Sequence, residues 1–444
     1  MFSPETIFFR PIADKQIRIV IIITIAFLLI DTMINNVADS VIPQATSKWG
    51  ILLFVILAIV YAICQQLLLR FVWWKTKDIR SKSFLIDSLI KVVIAGQYVL
   101  LAILVIVIYQ ILLTSQFYTA LLTWTTGISY SLTVILIGIL ARQFSLWYRS
   151  HKKDSFIVLS YATAFAIMSM TFSIALILDV YHLSSKQETV TPSSEVAWPS
   201  YDNAGWFLLT LRYIYSYADL VSFVFIWGAT ALLLLHYRRR IGIVKFWILI
   251  ILPLIYYLTS FLDFTGLYEP KSDLENFYYN LYGGLNSTAG GLMFAFAFLV
   301  IAKRIDNQSV KVYMKLAAYG FVLLYISSQV TLVGASYPPF GITTLAIGGL
   351  SSFLLLTGLY STAVSLSRHA ELRKSIRASI EDQHSRLIDR IGMSEVQRDI
   401  DRRVRPVVQR YAEQMNTQAA VDLTISEEEI KQYINEILHD LNKK

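Results

Sequence analysis

Ten long apolar runs, joined by loops that alternate between basic and almost free of Lys and Arg, constrain this chain more than any other feature. The runs cover residues 17–34, 51–73, 92–113, 121–140, 156–180, 213–236, 246–262, 285–301, 316–333 and 340–366. Roughly 20 apolar residues suffice to cross the hydrocarbon core of a bilayer as a helix. No water is available there to solvate the backbone, so runs of this length must close their own hydrogen bonds. The pattern predicts an all-α polytopic membrane helix bundle of about ten transmembrane helices, residues 1–366. A short cytoplasmic amphipathic helical tail, residues 367–444, follows. Composition agrees, with 16% charged residues against roughly a quarter in soluble domains.

Loop charge sets the expected orientation, because Lys and Arg stay on the cytoplasmic side. Basic residues crowd the N-terminal flank and every second loop, as in Arg142, Arg149, Lys152 and Lys153, or Arg238, Arg239 and Arg240. The intervening loops hold only Lys48, Lys186 and Lys271, with Arg212 at the edge of the sixth run. Both termini are expected in the cytoplasm, in the cell membrane. The first run, with its basic flank and the small residues Val37–Ala38, also fits a cleaved signal peptide. The positive charge sits at the inner surface, where it suits anionic headgroups and does not point to nucleic acid.

Ionisable residues within spans are costly and turn toward protein or water. Asp31, Asp179, Asp219 and Asp263 fall near the expected outer ends of their spans. Arg212, Tyr215 and Asp219 repeat at helical spacing on one face of the sixth span. Asp219 is the expected buried acid of the set. The candidate ligand-binding residues are Asp219, Arg212, Tyr215, Asp263 and Asp31, lining an outer polar vestibule. The alternative is interfacial snorkelling for Asp31, Asp179 and Asp263, and a structural ion pair for Arg212 with Asp219. Pro253 should bend the seventh span and free a carbonyl. The glycine pairs Gly283–Gly284, Gly290–Gly291 and Gly348–Gly349 should allow close helix packing. The polar loop 184–200 has too little apolar surface to fold alone, and Pro338–Pro339 should make a tight outer turn.

Catalytic motifs are not found. The six histidines share no metal-ligand spacing, and no nucleophile elbow, phosphate loop or dinucleotide fingerprint occurs. His369, in His369-Ala-Glu-Leu-Arg373, lacks the adjacent acid of a phosphoacceptor box, and too few residues follow for a nucleotide-binding domain. No enzyme activity, cofactor or metal is expected. In the tail, Ser426 and Glu429 form a capping box, and Ile430, Ile434, Ile437 and Leu441 share one helical face. Such a stripe needs a partner.

The tracts Tyr337-Pro-Pro-Phe-Gly341, Gly349-Leu-Ser-Ser-Phe353, Gly358-Leu-Tyr-Ser-Thr-Ala363, Leu372-Arg-Lys-Ser-Ile-Arg377 and Ile391-Gly392 carry a resemblance. Over roughly residues 284–444 the chain resembles a group of multi-spanning membrane proteins of ammonia-oxidising archaea. The resemblance implies a ten-helix-like membrane unit with a short cytoplasmic tail, and implies no catalytic residues.

Together these features lead us to expect a receptor-like or assembly protein, with an outer vestibule and a tail that binds a partner. The alternative is a secondary transporter or channel for a small cation or polar solute. The expected partners are membrane lipids, and either a cytoplasmic protein on the tail or a second copy of the chain.

Overall fold

A computed structural model describes residues 14–36, 48–77, 84–150, 156–194, 205–236, 242–264, 291–292, 294–303 and 308–362, with 238 and 275 as isolated positions. In chain order the helices are α1 (Asp14–Asn36), α2 (Lys48–Lys75), α3 (Phe84–Thr114), α4 (Thr119–Ser150), α5 (Phe156–Ser184), α6 (Trp206–His236) and α7 (Ile243–Phe264). They are followed by α8 (Phe294–Lys303), α9 (Gln308–Ser327) and α10 (Ile342–Thr362). Each of the ten expected runs overlaps one of these helices, but residues 328–333 of the ninth run are not helical, and residues 285–290 and 293 of the eighth lie outside the described residues. Among the described residues, α1 to α6, α9 and α10 are long and apolar enough to cross a membrane. The tail and its expected helices lie outside the described residues, as do Gly283, Gly284 and Gly290.

The chain divides into two units, residues 1–75 with 90–360, and residues 76–89 with 361–444. In the second unit Thr76, Lys77, the first turns of α3 and the last residues of α10 are described. The first unit holds the bundle.

Burial ranks the helices. About a third of the apolar window is buried in α3 and α6 (33% each), against 78% in α9 and 100% in α10. A helix that is apolar all round and wholly buried is surrounded by protein, so α10 is the central element. The start of α10 packs against α1, α2, α4 and α9. Small residues allow the closest approach. A Cβ on Gly320 would lie 2.5 Å from the Leu355 backbone nitrogen, and one on Gly358 would lie 2.3 Å from that of Ala317. The backbones of α9 and α10 therefore touch directly, with no side chain between them. Gly291 makes room for the Tyr325 side chain and Gly349 for that of Leu132, the packing role expected for such glycines.

Around this centre, α4, α5 and α6 run side by side as consecutive hairpins. Ser169 donates to the Val134 carbonyl, and Tyr161 pairs with Thr230, which ties α5 to both neighbours. Pro253 sits inside α7 without ending it. Trp227 of α6 donates its indole N–H to the Ile250 carbonyl, in the turn that the proline loosens.

Two short strands, β1 (Phe117–Tyr118) and β2 (Thr189–Val190), pair antiparallel. Thr119 adds a backbone bond to the Glu188 carbonyl. The polar loop after α5 thus takes its order from the α3–α4 connection, with Phe117 and Val190 buried beneath it.

Candidate functional site

The connection between α9 and α10 departs from the expected tight outer turn. Val330 and all residues from Leu332 to Phe340 are buried. Non-helical backbone at such depth is tolerated only where protein or a cavity supplies its hydrogen bonds. Here nearby groups do so. Ala335 N–H donates to the Leu332 carbonyl, Val333 N–H to the Thr331 hydroxyl, and the Ser336 hydroxyl to the Pro338 carbonyl. Tyr337 stacks on Phe117 of β1, and Phe340 meets Phe54 of α2 edge-on.

Asp31 holds the end of this segment. Its carboxylate is fully buried and accepts from Gly341 N–H at 2.9 Å, Thr344 N–H at 3.2 Å, the Thr344 hydroxyl at 2.8 Å and the Thr343 hydroxyl. The backbone donors at the start of α10 have no intrahelical partner, and a negative charge there is favoured. Asp31 is therefore an N-cap supplied from α1, some 310 residues away in sequence. Gly341 has φ +89°, and a Cβ on it would strike Val330 at 2.5 Å, so glycine is required there.

One turn further on, α10 breaks. The helix Ile342–Ala346 stops at a turn on Ile347 and resumes over 348–362. Side chains from other spans take up the carbonyls at the break. Ser129 of α4 donates to the Leu345 carbonyl, and Gln97 of α3 to the Ala346 carbonyl at 2.9 Å. Gln65 of α2 in turn donates to Gln97, at 2.8 Å to its backbone and 3.1 Å to its side chain. Gly348 admits three hydroxyls. Those of Ser129, Thr133 and Ser327 lie 3.1, 3.2 and 3.5 Å from where its Cβ would stand. Thr126, three residues before Ser129 on α4, is buried, and neither its hydroxyl nor Gln65 Oε1 has a hydrogen-bond partner among the described residues. The result is a polar core enclosed by apolar helices.

A second acid lies at the same end of the bundle as Asp31. Asp179 of α5 is half-buried and accepts from the Thr331 hydroxyl at 2.9 Å. The Tyr130 hydroxyl also reaches it, shared with the Val330 carbonyl at 3.5 Å. Thr331 links this acid to α1, since its carbonyl accepts from Asn35 at 3.3 Å.

The residues singled out in the sequence are thus dispersed. Asp31 is wholly enclosed, not snorkelled. Arg212 and Asp219 are exposed and Tyr215 is half-buried, so the buried acid is Asp31 where Asp219 was expected. Asp263 ends α7, and its side chain lies outside the described residues. Gln65, Gln97 and Ser129 were not among the expected site residues. The available signal was two glutamines in each of two apolar runs, Gln65 and Gln66 in the second and Gln97 and Gln110 in the third.

No family model, curated protein or solved structure matches the chain. Fold and composition define the class directly: an integral, multi-pass membrane protein with an all-α bundle built around an interrupted last span.

Proposed function

We propose that this protein is a carrier or channel for a small cation or polar solute, set in the cell membrane with both termini in the cytoplasm. The supporting observation is the break at Ile347 in a fully buried span, with its carbonyls met by Ser129 and Gln97. A spanning helix normally satisfies its own backbone. Discontinuous helices near the bilayer midplane are where secondary transporters build solute and ion sites. A hydrogen bond between membrane helices contributes only about 0.6 kcal/mol on average, so packing alone is a weak reason for so polar a core. The receptor-like or assembly reading rests on the tail, residues 367–444, and on an outer vestibule at Asp219 and Arg212. It therefore stands second.

Access to the polar core tests the proposal. Cys64 is the chain's only cysteine, so Cys64→Ser gives a clean background for Thr126→Cys. In a carrier or channel, the new thiol reacts with a membrane-impermeant reagent applied to right-side-out or inside-out vesicles. Protection from both sides, in folded protein, would exclude a solute path through this core.

A further inference from the structure

Asp31 and Asp179 are both carboxylates within spans, tied to the two ends of the same buried segment, but they differ in how far they are satisfied. Asp31 takes four donors, which fills the roughly four acceptor positions of a carboxylate. It is fully buried and has no room for a ligand. Asp179 takes two neutral hydroxyls, one of them shared with a carbonyl, and it is half-buried. Among the described residues it has no cationic partner. A carboxyl group held in a membrane bundle by neutral donors alone has spare lone pairs, and a bound cation favours its charged form. Such a group is by default a candidate for binding or transport.

Its surroundings narrow the ligand. The Val330 carbonyl, the Thr331 hydroxyl and the Tyr130 phenol stand beside it. Tyr215 of α6 lies close enough to Tyr130 to act on it electrostatically. This is an oxygen-rich site with a single negative charge. Calcium takes about six to eight oxygens, several from carboxylates, and one acid does not meet that demand. One positive charge balances the carboxylate.

We infer that Asp179, Tyr130, Thr331 and Tyr215 form a binding site for a small monovalent cation, at the end of the bundle that loop charge assigns to the outside. The site deepens the carrier reading by naming the class of its ion, and rests on that reading only for the ion's movement. Thr331 also belongs to the buried segment that leads into α10, so an ion drawing on Asp179 competes with the Thr331 contact that holds this segment.

The test is cation-dependent unfolding of the full-length, detergent-solubilised protein. Sodium, potassium or ammonium chloride is titrated against N-methylglucamine chloride at constant ionic strength. The expected result is a saturable rise in unfolding temperature with at least one of the three ions. Asp179→Asn should raise the half-saturating concentration at least about tenfold, and Asp31→Asn should leave it unchanged in whatever protein remains folded. No saturable rise in the wild type, or the same rise in Asp179→Asn, overturns the inference and leaves Asp179 as a structural latch. If Asp179→Asn does not fold, Tyr130→Phe replaces it. A severalfold weaker response supports the site, and an unchanged one overturns it. Saturable binding without flux in vesicles would keep the site and remove the carrier. Flux indifferent to Asp179→Asn would do the reverse.

Discussion

Asp31→Ala should destabilise the protein more than any other single side-chain truncation described here. The carboxylate serves four donors at once, two of them backbone N–H groups at the start of α10. A neutral hydrogen bond between membrane helices is worth only about 0.6 kcal/mol on average, because the separated helices find other partners. That figure does not apply to Gly341 and Thr344. Their N–H groups face a fully buried position. A buried donor left without an acceptor costs about 1–3 kcal/mol, and here two backbone donors and two hydroxyls lose theirs, so the total should reach roughly 3–5 kcal/mol. Asp31→Asn keeps one acceptor oxygen for the donors on Oδ2 but sets its NH2 against Gly341 N–H. It should cost less, about 1–3 kcal/mol. The fraction of protein that stays monodisperse on size exclusion after stepwise heating ranks the two variants. An unchanged heating midpoint for Asp31→Ala would show that the N-cap from α1 contributes little.

Gly358→Ala should come next, from steric overlap. Its Cβ would stand 2.3 Å from the Ala317 nitrogen and 2.7 Å from the Ala317 Cα. Neither atom is a flexible side-chain end that can swing aside, so the two helices must separate. Overpacking in a well-filled interior typically costs about 1–3 kcal/mol, and backbone overlap places this variant at the top of that range. Gly320→Ala meets the same interface against Leu355. The double variant should therefore cost less than the sum of the two, since one separation relieves both clashes. Gly127→Ala, which meets nothing within 4 Å, is the control and should be neutral. Equal heating midpoints for Gly358→Ala and Gly127→Ala would contradict the close α9–α10 contact.

The spans were legible in the sequence because hydrophobic length is a strong, local signal. Each of the ten runs overlaps a helix, though several boundaries differ by six residues or more, as in 316–333 against Gln308–Ser327. What was not legible depends on contacts between distant residues. Residues 330–333 read as the end of the ninth run and 334–340 as a turn, because Pro338–Pro339 and flanking small residues look the same whether the turn is exposed or buried. Its burial comes from Phe117, Phe54 and Asp31, which lie far away in sequence. The break at Ile347 left no proline or charge to mark it, since side chains on α3 and α4 stabilise it. The acids show the same limit. Position along a span placed Asp31, Asp179 and Asp219 together near one side of the membrane. Rotation about the helix axis, which depends on neighbours, separated a buried Asp31 and a half-buried Asp179 from an exposed Asp219.

The measurement that bears most directly on the central claim is flux through purified protein in proteoliposomes, comparing wild type with Gln97→Leu. Gln97 carries no charge and bridges Gln65 to the Ala346 carbonyl at the break. Its replacement by an apolar side chain of similar size alters the polar core and leaves the lipid-facing surface intact. The account predicts that wild type moves at least one of sodium, potassium and ammonium faster than protein-free vesicles, and that Gln97→Leu slows this about tenfold or more at equal incorporation. No flux of any of the three through folded wild-type protein, or flux that Gln97→Leu leaves untouched, would contradict it.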